Sequence, residues 1–358
     1  MNAERSTEHS RANPFIPWAL GCVVAALLLL LLVKGRSFLV PLVLAFLVSS
    51  IASAGVERLR SIRWGRKEAP NWLVNVLAVG LLGLILMLAY GVLADEFNRV
   101  ATEAPAFIVQ AQDVLLRLAG LVSSDLAEVL SAGIGAVNPG RWLRIFAGSA
   151  GSLVATSVLI LLYVGFILAE RPWVDAKVEQ LFPDSARRDR VQASIEAIRT
   201  NIHHYFLLKT MISLLTAAVV YGIAWGFGLK FALLIALLTF LLNFIPNLGS
   251  IAATAIPVLV ALVQFDSMTM ALTVLAAVGA AQFVFGNVLD PMVTGKSLQM
   301  SPLAIVVSLT FWSAIWGVVG MFLAVPMMVL MIIVCEQIPS LRSIAVLLSK
   351  TGQVNVQD

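Results

Sequence analysis

Six stretches of this chain, 15–33, 37–54, 71–94, 149–169, 206–228 and 268–289, are apolar runs of about 17 to 25 residues, the length of helix that crosses roughly 30 Å of hydrocarbon. No other feature constrains the fold as much. Inside a bilayer each backbone N–H and C=O must be bonded within the protein, which a helix achieves residue by residue. Hydrophobic residues make up 60% of the 358 and charged ones 12%, about half the charged share of a soluble domain. A globule of this size with so few charges has no polar coat to turn toward water. A soluble enzyme is excluded, and the expected class is all-α: a polytopic membrane protein with about six full transmembrane helices. The first run lacks a small-x-small cleavage site and leads straight into the second, so it reads as a retained span rather than a secretory leader.

Basic residues set the orientation. Arg58, Arg60, Arg63, Arg66 and Lys67 crowd the loop after the second span, and Arg171, Lys177, Arg187, Arg188, Arg190 and Arg199 follow the fourth. Both segments are expected on the cytoplasmic side. The resulting plan is an N-terminal transmembrane hairpin (1–56), a cytoplasmic basic loop (57–70), a transmembrane helix (71–96), an extracytoplasmic helical segment (97–147), a further transmembrane helix (148–170), a cytoplasmic amphipathic helix (171–205), a C-terminal core (206–338) and a cytoplasmic tail (339–358). Both termini are then cytoplasmic. Trp18, Trp72, Trp142, Trp173 and Trp225 fall near the span ends, at headgroup level.

In the outer segment Phe107, Ala111, Val114, Leu118 and Leu121 recur in alternating steps of four and three, a seam that needs a partner helix in the same protomer or in a second copy. Together with the small-residue face of Gly222 and Gly226, it points to a homo-oligomer. Val191, Ile195, Ile198, Ile202 and Tyr205 form a similar stripe on the cytoplasmic segment, with Asp184 or Ser185 as its N-cap. The 24 Lys and Arg against 20 Asp and Glu give a net charge of +4 spread among loops. The expected partner is the lipid bilayer, with no nucleic acid.

Two further apolar regions, 231–264 and 302–335, overshoot a single crossing, since each is about 50 Å long as one straight helix. The first is interrupted by Asn243-Phe-Ile-Pro246-Asn247-Leu-Gly249-Ser250 and the second by Trp316-Gly317-Val-Val-Gly320. Backbone freed at such breaks needs partners in protein or water. The arms of the first, 231–243 and 250–264, are only about 20 to 23 Å as helices. Two Pro/Gly-broken re-entrant hairpins are the simplest reading, with Gly317, Gly320 and Pro326 as hinges of the second. A weak internal similarity, Leu238-Thr239-Phe240 on Leu309-Thr310-Phe311, supports an inverted arrangement, the plan that many secondary transporters use to build a midplane site. The plainer alternative is three unbroken crossings.

Between the broken regions lie the residues that carry chemistry. Asp290 is one of few carboxylates in the C-terminal half, and an acid at membrane depth is costly unless it carries an ion or gates through a salt bridge, here with Lys296. The alternative is an Asp that opens a loop before Pro291. Gln282 and Asn287 offer amides to a polar solute or to a neighbouring helix. With Asn243, Pro246, Asn247 and Gly249 at the first break they make the candidate substrate site, where half-helix ends and freed carbonyls can hold polar groups. Lys209 and Lys230 read as anchors that snorkel to the two surfaces, and His203 and His204 as interfacial. Gly295-Lys296-Ser297 is no phosphate loop, because position 290 is Asp where that motif requires Gly. Cys22 and Cys335 sit in apolar runs and suggest no disulfide. No catalytic or metal site emerges, and no cofactor is implied beyond a coupling proton or sodium ion.

The run Tyr205-Phe-Leu-Leu-Lys209-Thr210, then Gly226-Phe-Gly228, the Asn243 to Ser250 break, Asn287-Val-Leu-Asp290-Pro291-Met-Val-Thr-Gly295-Lys296-Ser297, Ser301-Pro302, and Trp316-Gly317-Val-Val-Gly320 through Pro326 together resemble the autoinducer-2 exporter family of bacterial inner-membrane proteins. The likeness runs from Pro41 to about Glu336 and is densest in the C-terminal half. Many relatives carry an aromatic residue and a proline where this chain has Asn247 and Ser250. The resemblance implies a non-enzymatic helical carrier in the bacterial inner membrane. Some members export the signalling furanone, and others are linked to exchange of sodium or lithium for protons. The leading expectation is a secondary transporter that moves a small polar solute or signalling molecule outward, ion-coupled through Asp290. Monovalent cation/proton antiport is the alternative, and a structural or regulatory membrane protein stands behind both.

Overall fold

In the computed structural model of the protein, residues 15–61, 70–122, 139–290, 292, 300–338 and 341–350 are described. Arg63, Arg66, Lys67, Pro291, Gly295, Lys296, Ser297 and the middle of the expected outer segment, 123–138, lie outside them. Every described element is helical, apart from an isolated bridge between Met300 and Ser349. Among the described residues, six helices are long and apolar enough to cross a membrane, or seven if the bent N-terminal pair counts as one span.

The N-terminal pair, α1 (Phe15–Lys34) and α2 (Arg36–Ser61), is joined through Gly35 alone and bends by 83° where the sequence suggests a hairpin. One residue is too short to reverse a chain, and the ladder passes through it: Gly35 N donates to Leu31 O at 2.7 Å and Leu39 N to Gly35 O at 2.8 Å. Next comes α3 (Asn71–Val122), of 52 residues, about 78 Å long and more than twice the hydrocarbon thickness. The expected span and outer helix are therefore one rod, with Pro105 inside it. The outer part of the rod packs within the protomer. Phe107 meets Phe231 edge-on at 5.7 Å, Val114 is buried, and Arg117 reaches Asp266 at 2.7 Å.

After α4 (Pro139–Glu170) come a single 3-10 turn (Arg171–Trp173) and a short α5 (Val174–Leu181). Asp184 then caps α6 (Ser185–Gly226), accepting from Ala186 N at 3.3 Å. No proline interrupts this helix of 42 residues, so the expected amphipathic helix and the fifth span also form one rod. It ends at Gly228, where φ is +66. Gln264 pins this turn by donating to Gly228 O at 2.8 Å and accepting from Lys230 N at 2.7 Å. Trp72, Trp173 and Trp225 are all exposed, as belt residues near span ends should be.

Both broken regions break where the sequence places them. The first gives α7 (Ala232–Leu242) and α8 (Leu248–Phe265), followed by α9 (Met268–Phe283) and a π-helical turn (Val284–Leu289). The second gives α10 (Pro302–Trp316) and α11 (Val318–Gln337), ahead of a terminal α12 (Arg342–Leu348). The arms are less equal than the sequence suggests. Helix resumes two residues before Ser250, so α8 has 18 residues and α7 only 11, while α11 has 20 and α10 has 15. In each region one arm is long enough to cross and one is not. Ser308 Oγ donates to Ala324 O at 2.8 Å, tying α10 to α11 on either side of Gly317.

Gly249 and Gly320 occupy equivalent places in the alignment of Leu238-Thr239-Phe240 on Leu309-Thr310-Phe311, and they do the same job. A Cβ on Gly249 would stand 1.8 Å from Leu242 O, and one on Gly320 1.9 Å from Trp312 O. Each glycine lets the second arm start hard against the end of the first. The two regions then meet through aromatic rings: Phe244 of the first break lies 4.6 Å from Phe322 of α11, and both lie within 6.4 Å of Phe206 on α6. Trp316 Nε1 reaches Leu32 O of α1 at 3.0 Å.

Gly249→Ala and Gly320→Ala should each lower the melting temperature of the purified protein, because the clash outweighs the gain of up to about 1 kcal/mol that alanine brings to a helix. Gly80→Ala, with nothing within 4 Å of the new Cβ, should leave the melting temperature unchanged or raise it.

Candidate functional site

The site is built around α6, which is apolar through the membrane except along one stripe. Lys209, Ser213 and Thr216 follow at helical spacing, and all three are buried. The Thr216 hydroxyl satisfies itself on Ile212 O at 2.8 Å, as does Thr239 of α7 on Ile235 O. The others face partners across the helix interface. Asn243 Nδ2 donates to Ser213 Oγ at 3.2 Å, and Lys209 Nζ donates to Asp290 Oδ2 at 2.7 Å.

The Lys209 pair revises the reading of that lysine. Instead of snorkelling to a surface, its side chain is 9% accessible and is held by Asp290, itself 26% accessible. Two opposite charges at this separation and depth stabilise each other, whereas either alone would be strongly disfavoured there. Lys296, the partner expected from sequence, is outside the described residues. The reading of Lys209 as an anchor passed over one signal, a polar residue every third or fourth position on an apolar helix, which marks an inward face.

Asp290 owes its direction to the π-helical turn just before it, Val284–Leu289. Such a turn inserts one extra residue, rotates all that follows and recurs at functional sites. Upstream of it, Gln282 of α9 is one of the residues that line a groove of about 600 Å³ between α8 and α9. Asn287 of the π turn and Ser250 and Thr254 of α8 line the same groove. Gln282 is 5% accessible, and among the described residues neither its Oε1 nor its Nε2 has a hydrogen-bond partner. A buried amide left so costs about 1–3 kcal/mol.

Of the six residues expected to bind solute, Gln282 and Asn287 therefore share the groove. Asn243 turns inward to Ser213. Pro246 and Gly249 shape the turn, and Asn247 is exposed there at φ 60, ψ −54, outside the regions that non-glycine residues favour. Of the hinge candidates, Gly317 takes φ +64 at the α10–α11 junction, Gly320 lies in the first turn of α11, and Pro326 lies further along it. His203 Nδ1 sits 3.0 Å from Ser50 O, joining α6 to α2. Among the described residues, no three of His, Cys, Asp and Glu converge as a metal site.

With this geometry in hand, comparison with known proteins is informative. Residues 20–340 match the AI-2E family transporter profile. The AI-2 transport protein TqsA of Escherichia coli strain K12 is 33% identical over 319 residues, covering 87% of this chain and 89% of that one. A provisionally named transport protein of Haemophilus influenzae is 28% identical over 341 residues, with 91% and 94% covered. YhhT of Escherichia coli K12, also provisionally named a transport protein, is 28% identical over 273 residues, with 73% and 74% covered.

Lys209→Met and Asp290→Asn should each destabilise the protein, by roughly 2 kcal/mol, the low side for a broken buried pair because Asp290 is partly accessible. In a double-mutant cycle read by thermal or denaturant unfolding, the combined variant should lose clearly less than the sum of the two. Additive losses would mean that the two charges do not act as a pair.

Proposed function

The chain belongs to the AI-2E family of transporters, and from that premise we propose that it exports a small polar solute or signalling molecule across the bacterial inner membrane. The groove between α8 and α9 is the binding site on this reading, with Gln282 and Asn287 as its amides and Ser250 and Thr254, just beyond the Asn243–Gly249 break, on its facing wall. The observation that carries the proposal is Gln282. An amide buried without a partner is a standing cost, and it lines a groove large enough for a small molecule. A polar solute that bonds it would recover that cost on binding.

Asp290 is the coupling or gating group, with Lys209 as its partner and Lys296 as a second basic group nearby in sequence. Breaking and remaking the pair, by a proton or a cation taken up at Asp290, would supply two states of α6 against α9. The short arms α7 and α10 are read as the inner limbs of two re-entrant hairpins, supported by their length and by the meeting of Phe244 with Phe322. Cytoplasmic termini follow from the basic loops, and a homo-oligomer from the small-residue face of α6. The protein works as a carrier, and no enzymatic step is part of the reading. Exchange of sodium or lithium for protons is not favoured, because the relatives bear names of transport proteins and one is named for AI-2. Against a purely structural role stands the buried Gln282 amide beside the groove, a cost that packing alone does not explain.

Flux into sealed proteoliposomes tests the proposal, with the furanone signal and then sodium, each with and without an imposed proton gradient. Saturable furanone movement that follows the gradient is expected. Gln282→Leu should raise the half-saturating concentration about tenfold or more, the loss of one or two hydrogen bonds to a buried polar group, and Asp290→Asn should abolish the response to the gradient. Proton release on adding sodium, without furanone flux, would instead establish the antiporter.

A further inference from the structure

A second cavity, of about 300 Å³, lies away from the groove, where α2, the end of α4, the turn after it and the N-terminal half of α6 come together. Its walls are of two kinds. Phe46 of α2, Ile198 of α6 and Leu330 of α11 are among the residues whose apolar surface makes up most of the lining, and Arg171, Arg199 and Ser49 line the same space. Arg171 stands where the apolar run of α4 ends, and two residues on, Trp173 is exposed as a ring at headgroup level should be.

Two arginines among the lining of a mostly apolar pocket complement one ligand class in both charge and shape. We propose that this cavity is a binding site for an anionic phospholipid such as phosphatidylglycerol. The planar guanidinium fork suits phosphate oxygens, basic pockets between membrane helices take such headgroups, and the apolar wall takes the start of an acyl chain. A zwitterionic lipid would bring its own cation against the arginines. Free phosphate would leave the apolar wall unused. Arg199 also pairs with Glu196 of its own helix at 3.2 Å, but both side chains are exposed, and such (i, i+3) pairs are weak enough for a phosphate to displace. Because Leu330 belongs to α11, a lipid seated here braces the second broken region against α2, α4 and α6. None of this depends on what the α8–α9 groove binds.

Native mass spectrometry and thermal unfolding of the full chain test the site, after delipidation in detergent and titration with phosphatidylglycerol or phosphatidylcholine of matched chain length. Phosphatidylglycerol should bind and raise the melting temperature, and phosphatidylcholine should do neither. Arg171→Gln with Arg199→Gln should weaken phosphatidylglycerol binding roughly thirtyfold. Ile198→Trp, which fills the cavity and keeps both charges, should weaken it as well, whereas Lys177→Gln, a charge outside the cavity, should not. Equal binding by the double arginine variant would overturn the proposal by making the attraction general to the basic surface. Unchanged binding by Ile198→Trp would also overturn it, as would glycerol phosphate binding as tightly as the lipid. Should the double variant fail to fold, Arg199→Gln alone and Ile198→Trp carry the same test.

Discussion

A peptide group that leaves its helix inside a bilayer finds no water to bond, and this chain leaves its helix twice within its C-terminal core. The rest of the architecture answers that constraint. At the first break the freed groups close on themselves, Ile245 N on Leu242 O at 2.8 Å and Gly249 N on Ile245 O at 3.0 Å, and at the second Gly317 N closes on Ser313 O at 2.8 Å. Turns this tight bring backbone against backbone, so a glycine must stand where the second arm begins. They also leave a residue with positive φ at each corner, Asn247 in one and Gly317 in the other. The apolar cluster around Phe206, Phe244 and Phe322 then holds the two corners together against α6.

α6 is the element on which both broken regions lean, and its composition follows from that position. A helix facing lipid on one side and two irregular segments on the other can hold polar groups only along the second side. Lys209, Ser213 and Thr216 lie there, each with a partner in the protein. The ion pair is the most demanding of these contacts, because losing Asp290 leaves the buried Lys209 charge in a medium that solvates it poorly. Replacing the pair by apolar groups of similar size would be far less damaging than removing one half of it, so the pair is weak evidence for stability.

How much of this was legible in the sequence depended on range. The breaks could be read because Pro246, Gly249, Gly317 and Gly320 act on their own backbone, whereas the shared role of Gly249 and Gly320 is seen only once the two arms are packed against each other. The spans could be read because hydrophobic length is a local sum. The continuity of α3 and α6 across the membrane surface could not, since a change from apolar to polar face marks a change of solvent and leaves the helical ladder unbroken. Lys209 near the end of an apolar run looks like any snorkelling lysine. Only a carboxylate 81 positions away in the chain makes it a buried donor. Asn243 was placed at the right break, but which way it faces depends on the rotation of α7 against α6, for which neighbouring residues carry no signal.

The two halves of the proposed site are chemically different, and one helix carries both. Gln282 and the groove offer neutral amides and hydroxyls, which select a polar but uncharged solute, while Asp290 offers a charge that a proton or cation can neutralise. Between them lies the π-helical turn of Val284–Leu289, a segment whose ladder is already wider than α-helical. Relaxing such a turn toward α-helix removes its extra residue from the register and rotates one end against the other. A solute drawing Gln282 and Asn287 toward α8 would therefore pull on the same turn that aims Asp290 at Lys209. A coupling free energy of about 1–3 kcal/mol, typical between communicating sites, is comparable to one buried hydrogen bond and smaller than the cost of breaking a buried ion pair. On the proposed reading, solute in the groove therefore biases the pair without parting it, and parting it requires a proton or cation at Asp290 as well.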